Sequence, residues 1–285
     1  MFMPKLLNAL SRALAVVFVA ALICDYFITD ISFWWVVGPG LSSGIVGAAT
    51  ARFRRPEPAT DKAAAAAAPA EPRTPVEVDP PVTGRWYALN SPATKTPSHG
   101  THAYGQTYAI DLVADPEDTP RPAFGWWPLA RRSTAFPAFG QPVLAVADAT
   151  VVHAGDRLRD HTFTRNSVPA LLLILIEGQF REIAGPGRLL GNHLVLDLGN
   201  GTYAMYAHLQ RGSLTVRAGD RVRAGQEIAR CGNTGNSTEP HVHFQLMDRP
   251  DVLAARGVPF TWRGVGVPAS RQHFVVGEPA VSAAN

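Results

Sequence analysis

The chain of 285 residues is poor in cysteine, with Cys24 and Cys231 alone, and it has no lysine after Lys95. Cys24 lies in an apolar N-terminal stretch and Cys231 precedes a histidine-rich segment. A disulfide between them is implausible, which excludes a disulfide framework. The net charge is +3, and the basic residues are scattered or clustered at 52–55 beside the apolar stretches. This distribution predicts no nucleic-acid surface.

Two apolar stretches occupy the N terminus. Residues 6–28 are interrupted by Arg12 and Asp25, whereas residues 31–51 carry no charge and have tryptophans near their start. Both are long enough to cross a bilayer, which predicts a membrane anchor of one or two transmembrane helices within residues 1–55. Positive charge before the first stretch and after the second predicts that both ends face the cytoplasm. An extracytoplasmic domain requires a different topology, so the number of spans stays open.

The remainder divides by composition into three parts. Residues 56–82 are rich in proline and alanine and predict an extended linker. Residues 83–275 contain short apolar segments separated by glycine and proline, without a convincing amphipathic helix. They predict an all-β domain, an antiparallel sandwich or a barrel-like fold, and residues 276–285 form a tail.

Two segments of this domain carry predictions of their own. The apolar residues 169–176 are too few to span a membrane. We expect them to form either a buried strand, which we favour, or an apolar edge that rests on lipid or on a partner. Residues 115–139 contain Trp126 and Trp127 and five prolines, which predicts a long irregular loop. Such a loop either lines a substrate groove or packs its own aromatic side chains at the surface.

His241 and His243 are the main indication of function. Histidines two residues apart on a strand point to the same side of a sheet, which is a common way to build a metal site. His208 is expected at the end of a second strand, after a hairpin that turns at Gly199–Gly201. Asp111 is the single charge in a strand-like apolar segment and needs a partner. Zinc accepts both imidazole and carboxylate ligands.

Several motifs occur in a fixed order between residues 83 and 250. They are a histidine upstream of Asp111, Gln141-Pro-Val-Leu-Ala-Val-Ala-Asp, Tyr206-Ala-His208-Leu209, Gly219-Asp-Arg-Val-Arg-Ala-Gly-Gln, Gly232-Asn-Thr-Gly and His241-Val-His243-Phe. Together they resemble the lysostaphin and LytM-type zinc metallopeptidases, which cut peptide bonds in bacterial cell-wall peptidoglycan. The resemblance implies the LytM-like hybrid β fold and one zinc ion per chain.

The resemblance also implies roles for individual residues. Asp111 and His243 match zinc ligands, while His208 and His241 match the two histidines beside the metal that act on water. His241 is the expected general base, and His208 is expected to orient the water or to stabilise the oxyanion. The position that usually holds the first ligand is Thr107, so that ligand must be His99 or His102. A branch of the family with a Ser-His-Gly stretch upstream favours His99.

The expected function is therefore a membrane-anchored zinc endopeptidase that cuts cross-bridges or stem peptides of peptidoglycan. It acts outside the membrane, and its partners are peptidoglycan peptides and, through the N terminus, the lipid bilayer. No His-Glu-x-x-His helix occurs, which excludes a glutamate base of the thermolysin kind. The alternatives are an inactive relative that binds the wall or regulates a partner hydrolase, and a carrier or phosphotransfer domain. The absence of lysine after Lys95 rules out a biotinyl carrier.

Overall fold

The computed structural model describes residues 73–277, together with residues 10, 11, 13, 14, 17 and 42. In that part of the chain a nine-stranded antiparallel sheet forms the centre of the fold. Its strands are β2 (Gly84–Leu89), β3 (Ile110–Ala114), β5 (Ala149–Gly155), β6 (His193–Asp197), β7 (Tyr203–Ala207), β8 (Arg221–Val222), β10 (Val242–Met247), β11 (Gly257–Val258) and β13 (His273–Val276). The strand order is β13-β2-β3-β10-β7-β6-β5-β8, with β11 paired to β10.

Two small sheets accompany the large one. β1 (Val76–Val78) pairs in parallel with β12 (Phe260–Trp262), and β4 (Pro142–Leu144) pairs antiparallel with β9 (Glu227–Arg230). The expectation of a mostly antiparallel β fold is confirmed. β1 lies in the range that the sequence predicts as linker, while the predicted domain boundaries themselves stay predictions.

The two faces of the large sheet carry different side chains. Along β10, Val242, Phe244 and Leu246 join the main hydrophobic core, which also contains Ile110 and Leu112 of β3. The intervening residues of both strands point to the opposite face, because side chains alternate along a strand. Asp111, His243 and Gln245 therefore share a face with a second, smaller apolar cluster that includes Met205 and Met247.

The predicted hairpin is confirmed, since β6 and β7 pair on either side of Gly199–Gly201. His208 directly follows β7 and has a left-handed backbone conformation, with φ of 62°. Few residues other than glycine adopt this conformation. This backbone conformation ends β7 just before His208. The amide of His208 donates to the carbonyl of Leu190.

The predicted strand at residues 169–176 is wrong, and so is the expectation of a domain without a substantial helix. These residues belong to helix α1 (Val168–Ala184), which is followed by the short helix α2 (Pro186–Leu190). Ser167 caps α1 by accepting a hydrogen bond from the amide of Ala170, and Pro169 lies in the first turn. A short apolar segment does not distinguish a strand from a helix, so these local signals decide the structure.

The predicted membrane anchor and the C-terminal tail lie almost wholly outside the described residues. Among the residues that are described, no helix is both long and apolar enough to cross a membrane.

Candidate metal centre

The sheet register places Asp111 and His243 directly opposite each other on neighbouring strands. His243 of β10 pairs with Asp111 of β3 on one side and with Ala207 of β7 on the other. His243 Nδ1 lies 2.9 Å from Asp111 Oδ1. His208 therefore follows the strand next to β10, and the sheet itself brings three of the five predicted site residues together.

The loop before β3 brings in the fourth residue. His99 Nε2 lies 3.0 Å from Asp111 Oδ2. His102 instead places its Nδ1 3.0 Å from the hydroxyl of Thr107, the residue at the position where a histidine is usual. Of the two candidates for the first ligand, His99 is the one that the structure places beside Asp111 and His243.

His241 and His208 lie next to this cluster. His241 Nε2 is 3.6 Å from Asp111 Oδ1, and the ring centroids of His241 and His208 are 4.6 Å apart. All five predicted residues line one pocket of about 320 Å³. A larger hollow of about 870 Å³, near Asp148 and Asp197, contains no histidine.

Hydrogen bonds to His99 and His243 determine which ring nitrogen of each carries a hydrogen. In both rings the nitrogen that faces Asp111 carries a lone pair. Ser98 Oγ donates to the carbonyl of Gln106, so it accepts from His99 Nδ1 and leaves the lone pair on His99 Nε2. Gln245 Nε2 donates to the carbonyl of Tyr104, which orients the amide so that Gln245 Oε1 accepts from His243 Nε2. The lone pair of His243 is therefore on Nδ1.

These assignments test whether the residues fit a metal ion. Three acceptor groups, His99 Nε2, the Asp111 carboxylate and His243 Nδ1, converge within 4.8 Å of one another. Acceptors at this separation repel unless a cation lies between them. Two imidazoles and one carboxylate are the ligands that zinc takes in a catalytic site, with a fourth position left open. The donor set fits zinc.

The two remaining histidines have their Nδ1 hydrogens directed away from the cluster. His241 Nδ1 donates to the carbonyl of Glu239 at 2.8 Å, and His208 Nδ1 donates to the carbonyl of Thr234 at 2.8 Å. A carbonyl only accepts hydrogen bonds, so Nε2 of each ring keeps its lone pair. Both rings are thus prepared to accept a proton or a hydrogen bond inside the pocket.

Burial and charge shift the pKa values in this pocket. Burial opposes ionisation of Asp111, but His99, His241 and His243 outweigh that effect and hold its pKa well below its ordinary value. Burial lowers the pKa of His208 well below its ordinary value, and repulsion from His241 and His243 lowers it further. Burial also disfavours the charged form of His99, yet Asp111 outweighs it and raises the pKa of His99.

Two supporting residues were missed by the sequence analysis. Asn90 Nδ2 donates to Asp111 Oδ2 at 2.8 Å from the end of β2. Arg121, from the irregular loop, forms an ion pair with Glu239, whose side chain is only 4% exposed. Burial raises the pKa of Glu239, while Arg121 opposes that shift. Neither residue lies in a motif, and only the folded chain brings them to the site.

The turn before β10 packs closely against helix α2 and against Gly191, which directly follows that helix. Gly235 and Gly191 approach so closely that a Cβ on Gly235 would lie 2.4 Å from Gly191 N. Both have positive φ, at 72° and 69°. The carbonyl of Thr234, which accepts from His208, lies in this turn, so the close packing holds the acceptor in place.

Comparison with known proteins relates part of the chain to one peptidase family. Residues 176–254 match the profile of peptidase family M23. The chain is similar to this family over that segment, which is less than half of its length. The segment contains His208, His241 and His243, while Asp111 and His99 lie upstream of it.

Two endopeptidases are similar to short parts of the chain. The peptidoglycan DD-endopeptidase ShyA of Vibrio cholerae is 41% identical over 59 residues, which cover 21% of this chain and 13% of ShyA. The glycyl-glycine endopeptidase ALE-1 of Staphylococcus capitis is 47% identical over 58 residues, which cover 20% of this chain and 16% of ALE-1. The matches thus span less than a fifth of the length of these relatives.

Two solved peptidase structures are also similar to part of the chain. The catalytic domain of lysostaphin from Staphylococcus simulans is 25% identical, with a TM-score of 0.28, over 48% of this chain and 85% of that one. A zinc-containing peptidase from Vibrio cholerae is 22% identical, with a TM-score of 0.29, over 67% of this chain and 39% of that one.

Proposed function

We propose that this chain is a zinc endopeptidase that hydrolyses peptide bonds in the cross-bridges or stem peptides of peptidoglycan. One observation carries the proposal: three acceptor groups that fit zinc converge beside two histidines whose Nε2 atoms are free to accept. The motifs and the M23 segment support the substrate class, since similar M23 proteins are named for cutting peptidoglycan.

The chain's own residues have distinct parts in this chemistry. Bound zinc would polarise the scissile carbonyl and lower the pKa of a water molecule to about 7. His241 Nε2 accepts the proton of the attacking water. On the opposite side of the ring, His241 Nδ1 donates a hydrogen bond to the backbone carbonyl of Glu239, which fixes the orientation of the ring. His208 is kept neutral by its depressed pKa. It therefore orients the water by accepting a hydrogen bond, rather than stabilising the oxyanion as an imidazolium.

The proposal includes the location of the enzyme. Peptidoglycan lies outside the cytoplasmic membrane, so the domain acts there, held by the apolar stretches within residues 1–55. Residues 56–72, the part of the predicted linker before the described domain, are long enough to separate the two, because a fully extended chain of 17 residues reaches roughly 55 Å.

Zinc content and peptidoglycan digestion, measured on the same samples of the full chain, test the proposal. Wild type and His102→Ala are expected to hold about one zinc per chain and to release peptides, because zinc takes three protein ligands and His102 is not among them. His99→Ala and His243→Ala are expected to lose both properties. His102→Ala is the matched control, since it removes an imidazole from the same loop.

The opposite pattern would overturn the proposal in a defined way. Zinc loss in His102→Ala but not in His99→Ala would contradict the assigned ligand. A wild-type chain that neither holds zinc nor releases peptides would be a wall-binding or regulatory relative without catalysis.

A further inference from the structure

On helix α1 and just before it, a cluster of charged side chains is partly buried, while several large apolar side chains of the helix are exposed. Glu177 pairs with Arg165 at 2.9 Å and with Arg181 at 2.7 Å, and the side chains of all three are at most 26% exposed. Leu173 and Leu175, in contrast, are 49% and 51% exposed. A helix on the surface of a water-soluble domain normally has the reverse arrangement.

The apolar side of α1 continues onto neighbouring segments. The backbone of Gly125 bridges to Ser167, and the hydroxyl of Ser167 donates to the carbonyl of Leu129. Leu129, Phe163 and Leu173 line a single groove. We call the whole the apolar face; its exposed members are Phe124, Trp126, Trp127, Leu129, Phe163, Leu171, Leu173, Leu175 and Phe180.

The charges around the apolar face are mostly of one sign. Residues 121–132 and 163–188, which form it, contain six arginines and two glutamates, and no lysine or aspartate. Glu177 is already neutralised by two of those arginines. Arg132 and Arg188 are exposed. The surroundings of the apolar face are therefore complementary to an anionic surface.

Two tryptophans mark the edge of the same face. Trp126 and Trp127 are 62% and 76% exposed, and their indole rings combine a large apolar body with one polar N–H. Such rings prefer the boundary between headgroups and hydrocarbon. Leucine and phenylalanine beside arginine and tryptophan are the composition of surfaces that lie in a bilayer interface.

The apolar face is attached to the metal centre. Arg181 Nη1 donates to Asn236 Oδ1 at 3.0 Å, and Asn236 lines the metal-site pocket. On the other side, Arg121 of the loop that carries the tryptophans pairs with Glu239, whose carbonyl holds His241. A surface that contacts the apolar face therefore lies next to the entrance of the site.

We propose that the apolar face inserts into the interface of an anionic phospholipid bilayer and seats the metal centre at the membrane surface. Exposed apolar side chains supply the insertion, and the exposed Arg132 and Arg188 contact the headgroups. The contact is made by the folded domain itself, so it is separate from any anchoring by residues 1–55 and from hydrolysis. Peptides close to the membrane surface are then the ones that meet the site.

Lipid contact at single positions tests this in the full chain. Leu175→Cys, in a Cys24→Ala background, is labelled with a fluorophore that reports polarity and is mixed with vesicles of phosphatidylcholine and phosphatidylglycerol carrying nitroxide lipids. Cys231 is fully buried, and burial raises the pKa of its thiol, so it stays unlabelled. Val275→Cys is the matched control, because Val275 is 68% exposed on β13, outside the apolar face.

The expected result is a blue shift and a loss of about half of the emission at position 175, with no change at position 275. Vesicles of phosphatidylcholine alone should quench position 175 less, because the arginines lack anionic partners. Equal quenching on both vesicles would overturn the assignment to an anionic surface.

Two other results would overturn lipid contact itself. An unshifted, water-like label at position 175 would mean that the apolar face does not insert. A blue shift without nitroxide quenching would mean that protein covers the face, either this chain's own apolar N terminus or a second copy.

Discussion

At the metal centre the buried side chains are polar, whereas on the apolar face the exposed side chains are apolar. Asp111 and His243 are less than 10% exposed, and each has partners for its ring or carboxylate atoms. Leu173 and Leu175 are about half exposed. Polarity alone therefore does not determine burial in this domain. The polar side chains of the candidate metal centre are buried because other residues of the chain hydrogen-bond to them, whereas the leucines of the apolar face are exposed although they are apolar.

Under the proposed function, the largest effect is expected at the candidate metal centre. His241→Gln keeps a polar side chain but removes the proton acceptor, so peptidoglycan hydrolysis should fall by roughly 100- to 10,000-fold. Zinc content should stay at the wild-type level, because His241 is not among the three converging acceptor groups. Loss of zinc in this variant would show that His241 is a ligand. His273→Gln, in an exposed position, is the control and should leave both unchanged.

The next largest effect is expected when a buried charged group at the site loses its partner. Arg121→Ala leaves the Glu239 carboxylate buried without its cation, and Glu239 Oε2 has no hydrogen-bond partner. We expect the free energy of unfolding to fall by about 3 kcal/mol, measured by urea denaturation. Arg217→Ala, whose side chain is 89% exposed, should change it by less than about 0.5 kcal/mol. An equally small change in Arg121→Ala would contradict this role.

A matched pair of substitutions within α1 compares the contribution of a buried and an exposed apolar side chain to stability. Ile174 is 4% exposed and Leu175 is 51% exposed, although they are neighbours in sequence. Ile174→Ala should cost about 2 kcal/mol of unfolding free energy, because it leaves a cavity. Leu175→Ala should cost less than about 0.5 kcal/mol in the absence of lipid. Similar losses in both variants would show that Leu175 is covered in the folded protein.

The smallest effect is a pH dependence that isolates Glu239. Burial raises the pKa of this carboxyl above its ordinary value of 4.5, and removing Arg121 removes an opposing effect. The folded state then binds a proton more readily than the unfolded state, so the stabilisation is complete below pH 4.5 and is lost as the pH rises through the folded pKa. Arg121→Ala should therefore lose stability with rising pH relative to Arg121→Ala/Glu239→Gln. A constant difference between their denaturation midpoints would refute this.

Local patterns predicted the centre of the sheet well. The glycine-rich hairpin between β6 and β7 forms as expected because its turn residues determine the register. Alternation along β10 places His241 and His243 correctly relative to the core. Asp111 was identified because a single carboxylate in an apolar strand requires a partner. Each of these inferences depends on residues that are close in sequence.

Contacts between distant segments could not be predicted in the same way. Arg121 and Glu239 are 118 positions apart, and their pairing depends on how the irregular loop folds back. Residues 169–176 of helix α1 were predicted as a buried strand because a short apolar segment has no periodicity that distinguishes a strand from a helix. The resemblance favoured His99 over His102, and the fold supplies the physical reason, since the turn before β3 places the ring of His99 beside Asp111.

The contact between Gly191 and Gly235 has a consequence for protein engineering. Neither position has room for a side chain, and a Cβ on Gly191 would lie 2.5 Å from the hydroxyl of Thr234. The two turns therefore cannot be exchanged or lengthened one at a time. A design that moves the candidate metal centre to another protein, or recombines it with a related domain, has to transfer both turns together.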